Sequence, residues 1–122
     1  MAEHNEFGKK GEEAAFETLL KQGYIIREQN WRCGKAEIDI VAEKDNRIIM
    51  VEVKTRSEEI EDLSEVIDKK KIGNLIKAGT AYINQYELPH ELQFDIILLT
   101  GTSDNFHIEH YIDAIMPQLK AL

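Results

Sequence analysis

Ile38, Ile40 and Ala42, and then Ile49, Val51 and Val53, recur every second residue on either side of the polar run Glu43-Lys44-Asp45-Asn46-Arg47. Period two marks strands, and Asp and Asn suit a tight turn, so 36–56 reads as a β-hairpin. Alternation puts Glu37 and Asp39 on one face of the first strand, and Glu52, Lys54 and Arg56 on one face of the second. If even positions pair with odd ones, Asp39 and Glu52 share a face. Their Cβ atoms then lie about 4.5–5.5 Å apart if directly opposed, or about 7–8 Å if diagonal. A register slipped by one would part them.

The flanks carry other periods. From about Asn5 to Gln22, Phe7, Gly11, Ala14, Ala15, Thr18 and Leu19 fall three and four apart, and Gly23 suits the residue that ends a helix. Tyr24 to Arg32 is rich in β-branched and aromatic residues and reads as a strand. After the acidic connection Ser57–Leu63, a second helix is predicted from about Ser64 or Asp68 to Tyr86, with Ile72, Leu75, Ile76, Gly79, Tyr82 and Ile83 on one stripe. Its first turns hold Lys69, Lys70 and Lys71, which oppose the helix dipole unless an anion sits beside them; a solvated face is the plainer reading. Leu92 to Thr100 is a nearly continuous apolar run, as in a strand covered on both faces, interrupted by Asp95, for which a partnered structural role competes with a site role. Phe106 to Ile112 alternates as a further strand, and a short helix is expected from about Asp113. The order helix, three strands, helix, two strands argues for an α/β fold: a single domain over 1–122 with a mixed central sheet flanked by helices.

Composition narrows the functional classes. At 122 residues the chain can bury a core without staples, and its one cysteine, Cys33, cannot form an internal disulfide. No apolar stretch is long enough to cross a bilayer, and the first residues lack a signal-peptide pattern, so the expected location is the cytoplasm. The net charge of −8 argues against indiscriminate nucleic-acid binding. The acid is unevenly spread, however: residues 1–56 hold ten Lys and Arg against eleven Asp and Glu, and the remainder five against twelve.

Asp39 and Glu52 offer the oxygen ligands that Mg2+ prefers, and Lys54 would set an ammonium beside such a cation, where it can orient a water or stabilise charge on a phosphate. Arg27, Arg32, Lys35, Arg56 and Lys69 to Lys71 are candidates for phosphate contact. Glu12 and Glu13 lie next to the apolar stripe of the first helix, where a solvated face is the plainer reading. Trp31 could stack on a base, but more simply belongs to the core.

The segments GEEAAFETLLKQGY, NWRCGKAEIDIVAE, VEVKTR, the lysines of DKKK and QFDIILL resemble, in order and spacing, the YraN-like uncharacterised bacterial proteins across nearly the whole chain. That family is similar to the restriction-endonuclease-like superfamily, with its PD…(D/E)xK motif, and to archaeal Holliday-junction resolvases. The resemblance implies that Asp39, Glu52 and Lys54 are the catalytic residues. It implies metal ligation by Asp39, Glu52, the Val53 carbonyl and a helix-borne glutamate, Glu12, with Glu13 its near competitor. Nucleic-acid contact falls to Arg32, Lys35, Arg56 and Lys70. The chain departs from the family pattern at Ala36 and at Gln93, where an Arg commonly stands. The implied activity is a Mg2+- or Mn2+-dependent endonuclease acting on DNA, branched forms included, with a homodimer suited to junctions. The alternative is a binding module of the same fold without turnover.

Overall fold

The computed structural model describes residues 2–65 and 67–114, with side chains described from Glu6 onward. Helix α1 (Ala2–Lys21) is followed by β1 (Ile25–Cys33), β2 (Ala36–Lys44), β3 (Arg47–Arg56), a 3-10 turn (Leu63–Glu65), α2 (Lys69–Gln85), β4 (Glu91–Thr102) and β5 (Asn105–Tyr111). The strands form one mixed sheet in sequence order, antiparallel except for the parallel pair β3 and β4, which α2 connects. The expected α/β class and element order are therefore present; of the short helix expected from about Asp113, Asp113 and Ala114 are not helical and the rest lies outside the described residues. Among the described residues no helix is long and apolar enough to cross a membrane.

Local chemistry accounts for the element ends. Asp45 and Asn46 both adopt left-handed φ, 50° and 62°, giving the two-residue turn whose twist matches a hairpin. Gly23, at φ 88°, ends α1, and the Tyr24 N–H returns to the Leu19 carbonyl at 3.0 Å. Asp68 caps α2, its carboxylate accepting the Lys71 N–H at 2.8 Å.

The two helices cover opposite faces of the sheet. Ala15 and Leu19 of α1 pack with Tyr24, Ile40, Ala42, Ile49, Val51, Ile97 and Leu99, whereas Leu75, Ala78 and Tyr82 of α2 pack with Ile38, Ile48, Met50, Phe94 and Ile96. Strand β4 is thus buried on both sides, as its apolar run suggested. Trp31 meets Tyr82 edge to face at 5.0 Å, so it belongs to the α2-side core and not to a base-stacking surface.

The sequence reading errs in one respect that shapes the site. Ile38 and Ile40, two residues apart, serve opposite cores, so β2 does not alternate regularly through Asp39. The pairing of β1 with β2 runs through Gln29 with Ile40 and Trp31 with Ile38, skipping Asn30 and Asp39. Asn30 has φ 52°. The period-two alternation is thus broken between Ile38 and Ile40, beside this left-handed residue of the neighbouring strand.

Helix α1 is seated by Gly11. A Cβ at this position would collide with the side chain of Thr55 on β3. Gly11→Ala is therefore expected to lower stability by about 1–3 kcal/mol through overpacking, despite the better helix propensity of alanine. Thr55→Ala in the same chain should restore part of the loss. Urea unfolding of the two single variants and the double variant measures this coupling, and strict additivity would count against the contact.

Candidate metal and phosphate site

The register of β2 with β3 pairs Ile40 with Val51 and Val41 with Met50, even against odd, and Asp39 and Glu52 are the next residues beyond the last pair. The ladder stops there. Instead of a main-chain partner, the Val53 N–H donates to Asp39 Oδ2 at 2.8 Å, which fixes that carboxyl at the point where the strands part. Asp39 lies close enough to Glu52 to feel its charge.

Glu52 is 2% exposed. Its Oε2 accepts from Lys54 Nζ at 3.2 Å and from Lys71 Nζ at 3.1 Å, while its buried Oε1 has no hydrogen-bond partner. A buried carboxylate needs such compensation, and an oxygen left bare beside a second carboxyl has the donor chemistry for a hard cation. Burial first, then the Glu52 charge, push the Asp39 carboxyl up to about 8, against the Val53 N–H, which lowers it.

Glu12 is half-buried on the sheet side of α1, and Glu13 is exposed. Burial, with smaller contributions from Glu37 and Glu52, raises the Glu12 carboxyl above its ordinary value. Glu12 also lines two neighbouring clefts. One, of roughly 270 Å3, includes Asp39, Gln29 and Asn30. The other, of roughly 260 Å3, includes Val53, Lys54, Thr55 and Arg56. Glu13 lines the first cleft too, but of the two glutamates left open by the sequence Glu12 is the one whose charge acts on Asp39. Among the described residues, no three His, Cys, Asp or Glu side chains close into a preformed metal cage. The ready ligand set is Asp39 with Glu52, and Glu12 stands further out.

The cations divide. Arg56 lines the cleft with Lys54 but turns one guanidinium nitrogen to the Thr55 carbonyl at 2.8 Å. Arg32 is exposed and pairs with Glu37 at 3.2 Å, and Lys35 stands exposed in the β1–β2 turn. Lys70 is exposed in the first turn of α2. Arg27 is removed from the phosphate candidates, because it donates to the Tyr82 hydroxyl at 2.9 Å and to Glu43 at 3.1 Å, tying β1 to α2. The residue the sequence reading left on a solvated face is Lys71. Its signal was present: a lysine at a helix start needs an anion, and the anion is Glu52.

Asp95 lies outside this site. It is buried in β4 and accepts from Gln93 Nε2 at 2.9 Å, the Asp113 N–H at 2.9 Å and the Tyr24 hydroxyl at 3.4 Å, with His110 Nε2 at 2.7 Å. This is the partnered structural aspartate, and the network also occupies Gln93, the family departure. Burial and the Asp95 carboxylate raise the Tyr24 hydroxyl to about 12.

Residues 11–99 match the family model of the uncharacterised protein family UPF0102. The chain belongs to this family. A UPF0102 protein of Bacteroides thetaiotaomicron is 45% identical over 120 residues, covering 98% of this chain and 99% of the relative. Another from Phocaeicola vulgatus matches with the same identity and coverage. One from Flavobacterium johnsoniae is 46% identical over 119 residues, 93% of this chain and 97% of the relative. The segment matching the UPF0102 model contains Glu12, Asp39, Glu52, Lys54 and Lys71.

The raised Asp39 carboxyl has a definite pH signature. Between the ordinary aspartate value of 3.8 and about 8, the folded chain binds a proton that the unfolded chain releases, so stability falls as pH rises through that window. Asp39→Asn is expected to flatten this slope and to be the more stable protein at pH 8 in the presence of a chelator. Thermal midpoints of both proteins from pH 5 to pH 9 decide it; parallel profiles would show that Asp39 carries no such shift.

Proposed function

We propose that this chain is a restriction-endonuclease-like domain whose Asp39, Glu52 and Lys54 act on DNA phosphodiesters with a divalent cation. The observation that carries this reading is the bare, buried Oε1 of Glu52 beside the Asp39 carboxyl, with Lys54 Nζ 3.2 Å from the other oxygen of Glu52. Asp39 and Glu52 would hold Mg2+ or Mn2+, with the Val53 carbonyl and Glu12 completing the oxygen set. When bound, such an ion supplies positive charge for the phosphate and acidifies a water. The chain's own groups do the rest. With the ion bound, Asp39 would be a carboxylate, its proton released to solvent, Lys54 Nζ would meet charge developing on the phosphate, and the Val53 N–H would keep Asp39 oriented.

Arg32, Lys35, Arg56 and Lys70 supply phosphate contacts around the site. Bacterial DNA as substrate sets the working compartment as the cytoplasm, and a two-fold dimer suits a junction with two equivalent strands. The two lysines already neutralising Glu52, together with the lack of a three-carboxylate cage among the described residues, favour one alternative, a DNA-binding module without turnover.

The two readings part on variants. For a nuclease, Lys54→Ala should leave metal and DNA binding largely intact and lower cleavage on the order of 10²–10³-fold, while Asp39→Ala should remove metal binding and cleavage together. The assay is a panel of linear, flapped and four-way DNAs with Mg2+ or Mn2+ at low salt, since the net charge of −8 opposes association. Binding without cutting on every substrate assigns the module. Cutting at parental rate by both variants indicates a contaminant.

A further inference from the structure

We propose that Lys71 is a resident counter-ion of Glu52, displaced when a divalent cation binds, and that its ammonium then holds a phosphate of the DNA strand. This rests on the metal reading of the same site and adds a residue to it. Lys71 Nζ lies 3.1 Å from Glu52 Oε2, the oxygen that also takes Lys54, and Glu52 Oε1 remains bare in a side chain that is 2% exposed.

The two lysines are not equivalent. Lys54 is two residues from Glu52 on β3, held by the sheet, and 23% of its side chain is exposed. Lys71 arrives from the first turn of α2, with its side chain 39% exposed, so its flexible stem can withdraw toward solvent while the backbone stays capped by Asp68. A buried carboxylate without a counter-charge is strongly disfavoured, so the metal-free protein needs these ammonium groups. A divalent cation at Glu52 makes one of them redundant and repels it. The released charge then sits at a helix start, next to Lys69 and Lys70, where an anion is also favoured by the helix dipole. A fastening ion pair between α2 and the sheet is the competing account. It predicts loss of stability on removing Lys71 and no change in metal affinity.

Mn2+ binding to the full chain without DNA, followed by electron paramagnetic resonance, separates the two. Lys71→Met keeps the apolar stem and removes the charge, and it should bind Mn2+ at least about tenfold tighter than the parent, because a repelling charge within a few ångströms is gone. Lys71→Arg should stay near the parent, as should Lys77→Met, a charge-matched change on an exposed residue of the same helix. With Ca2+ as the ion, Lys71→Met should bind a four-way DNA several-fold more weakly than the parent, with a shallower salt dependence. Equal or weaker Mn2+ binding by Lys71→Met, or DNA affinity equal to the parent's, overturns the inference and leaves the metal site standing. If neither parent nor variant binds Mn2+, the metal reading falls and this one with it.

Discussion

A carboxylate taken out of water must be compensated, and Glu52 meets that demand with groups from two separate elements. Lys54 comes from its own strand and Lys71 from the first turn of α2, both on a single oxygen. Because this oxygen is saturated and the other is bare, the group is a directed donor and not merely a buried charge. The rest of the site follows from it. The Asp39 carboxyl is raised by its own burial first and then by the Glu52 charge, and that of Glu12, on α1, by its burial and then by Glu37 and Glu52. An arrangement of this kind is stable only while its negative charge is kept low, by protons and ammonium groups or by a cation.

Much of the frame was legible in the sequence because it is written in local chemistry. The hairpin followed from period two and from an Asp-Asn pair, the first helix from three-four spacing and Gly23, and β4 from an unbroken apolar run. The even-to-odd pairing of β2 with β3 holds as far as Ile40 and Val51. What stayed illegible depends on where one strand turns relative to its neighbours. The left-handed Asn30 and the turning of β1 and β2 around Asp39 break the alternation that sequence reading assumes, and nothing in the local composition announces this. Arg27 looked like an available cation, and only tertiary packing shows it committed to Tyr82 and Glu43. The choice between Glu12 and Glu13 likewise needed the placement of α1, which lets the Glu12 charge act on Asp39.

Among the described residues, the buried acids Glu52 and Asp95 are separated by role. Asp95 on β4 is surrounded by donors from Tyr24, Gln93 and His110 and by a main-chain N–H, and it is spent on holding the sheet to the segment after α1 and to β5. Glu52 keeps an oxygen in reserve. Satisfaction of hydrogen bonds therefore distinguishes a structural acid from a candidate reactive one more sharply than burial does, since both are almost fully enclosed.

The tight turn at Asp45 and Asn46 also bears on how far apart in the chain a site may be gathered. Asp39 and Glu52 are joined by the short loop that this turn closes, whereas Lys71 reaches Glu52 through the whole β3–α2 connection, and Glu12 reaches Asp39 across β1. The entropy of closing a loop grows only with the logarithm of its length, about 0.6 kcal/mol for each doubling. The Glu52–Lys71 loop is well under twice the length of the Asp39–Glu52 loop, and the Glu12–Asp39 loop is about twice it. Chain connectivity thus offers almost no preference for neighbours in sequence over distant residues, and a compact motif such as Glu52-Val53-Lys54 is only the visible part of a cluster that the polymer can recruit from elsewhere at nearly equal expense.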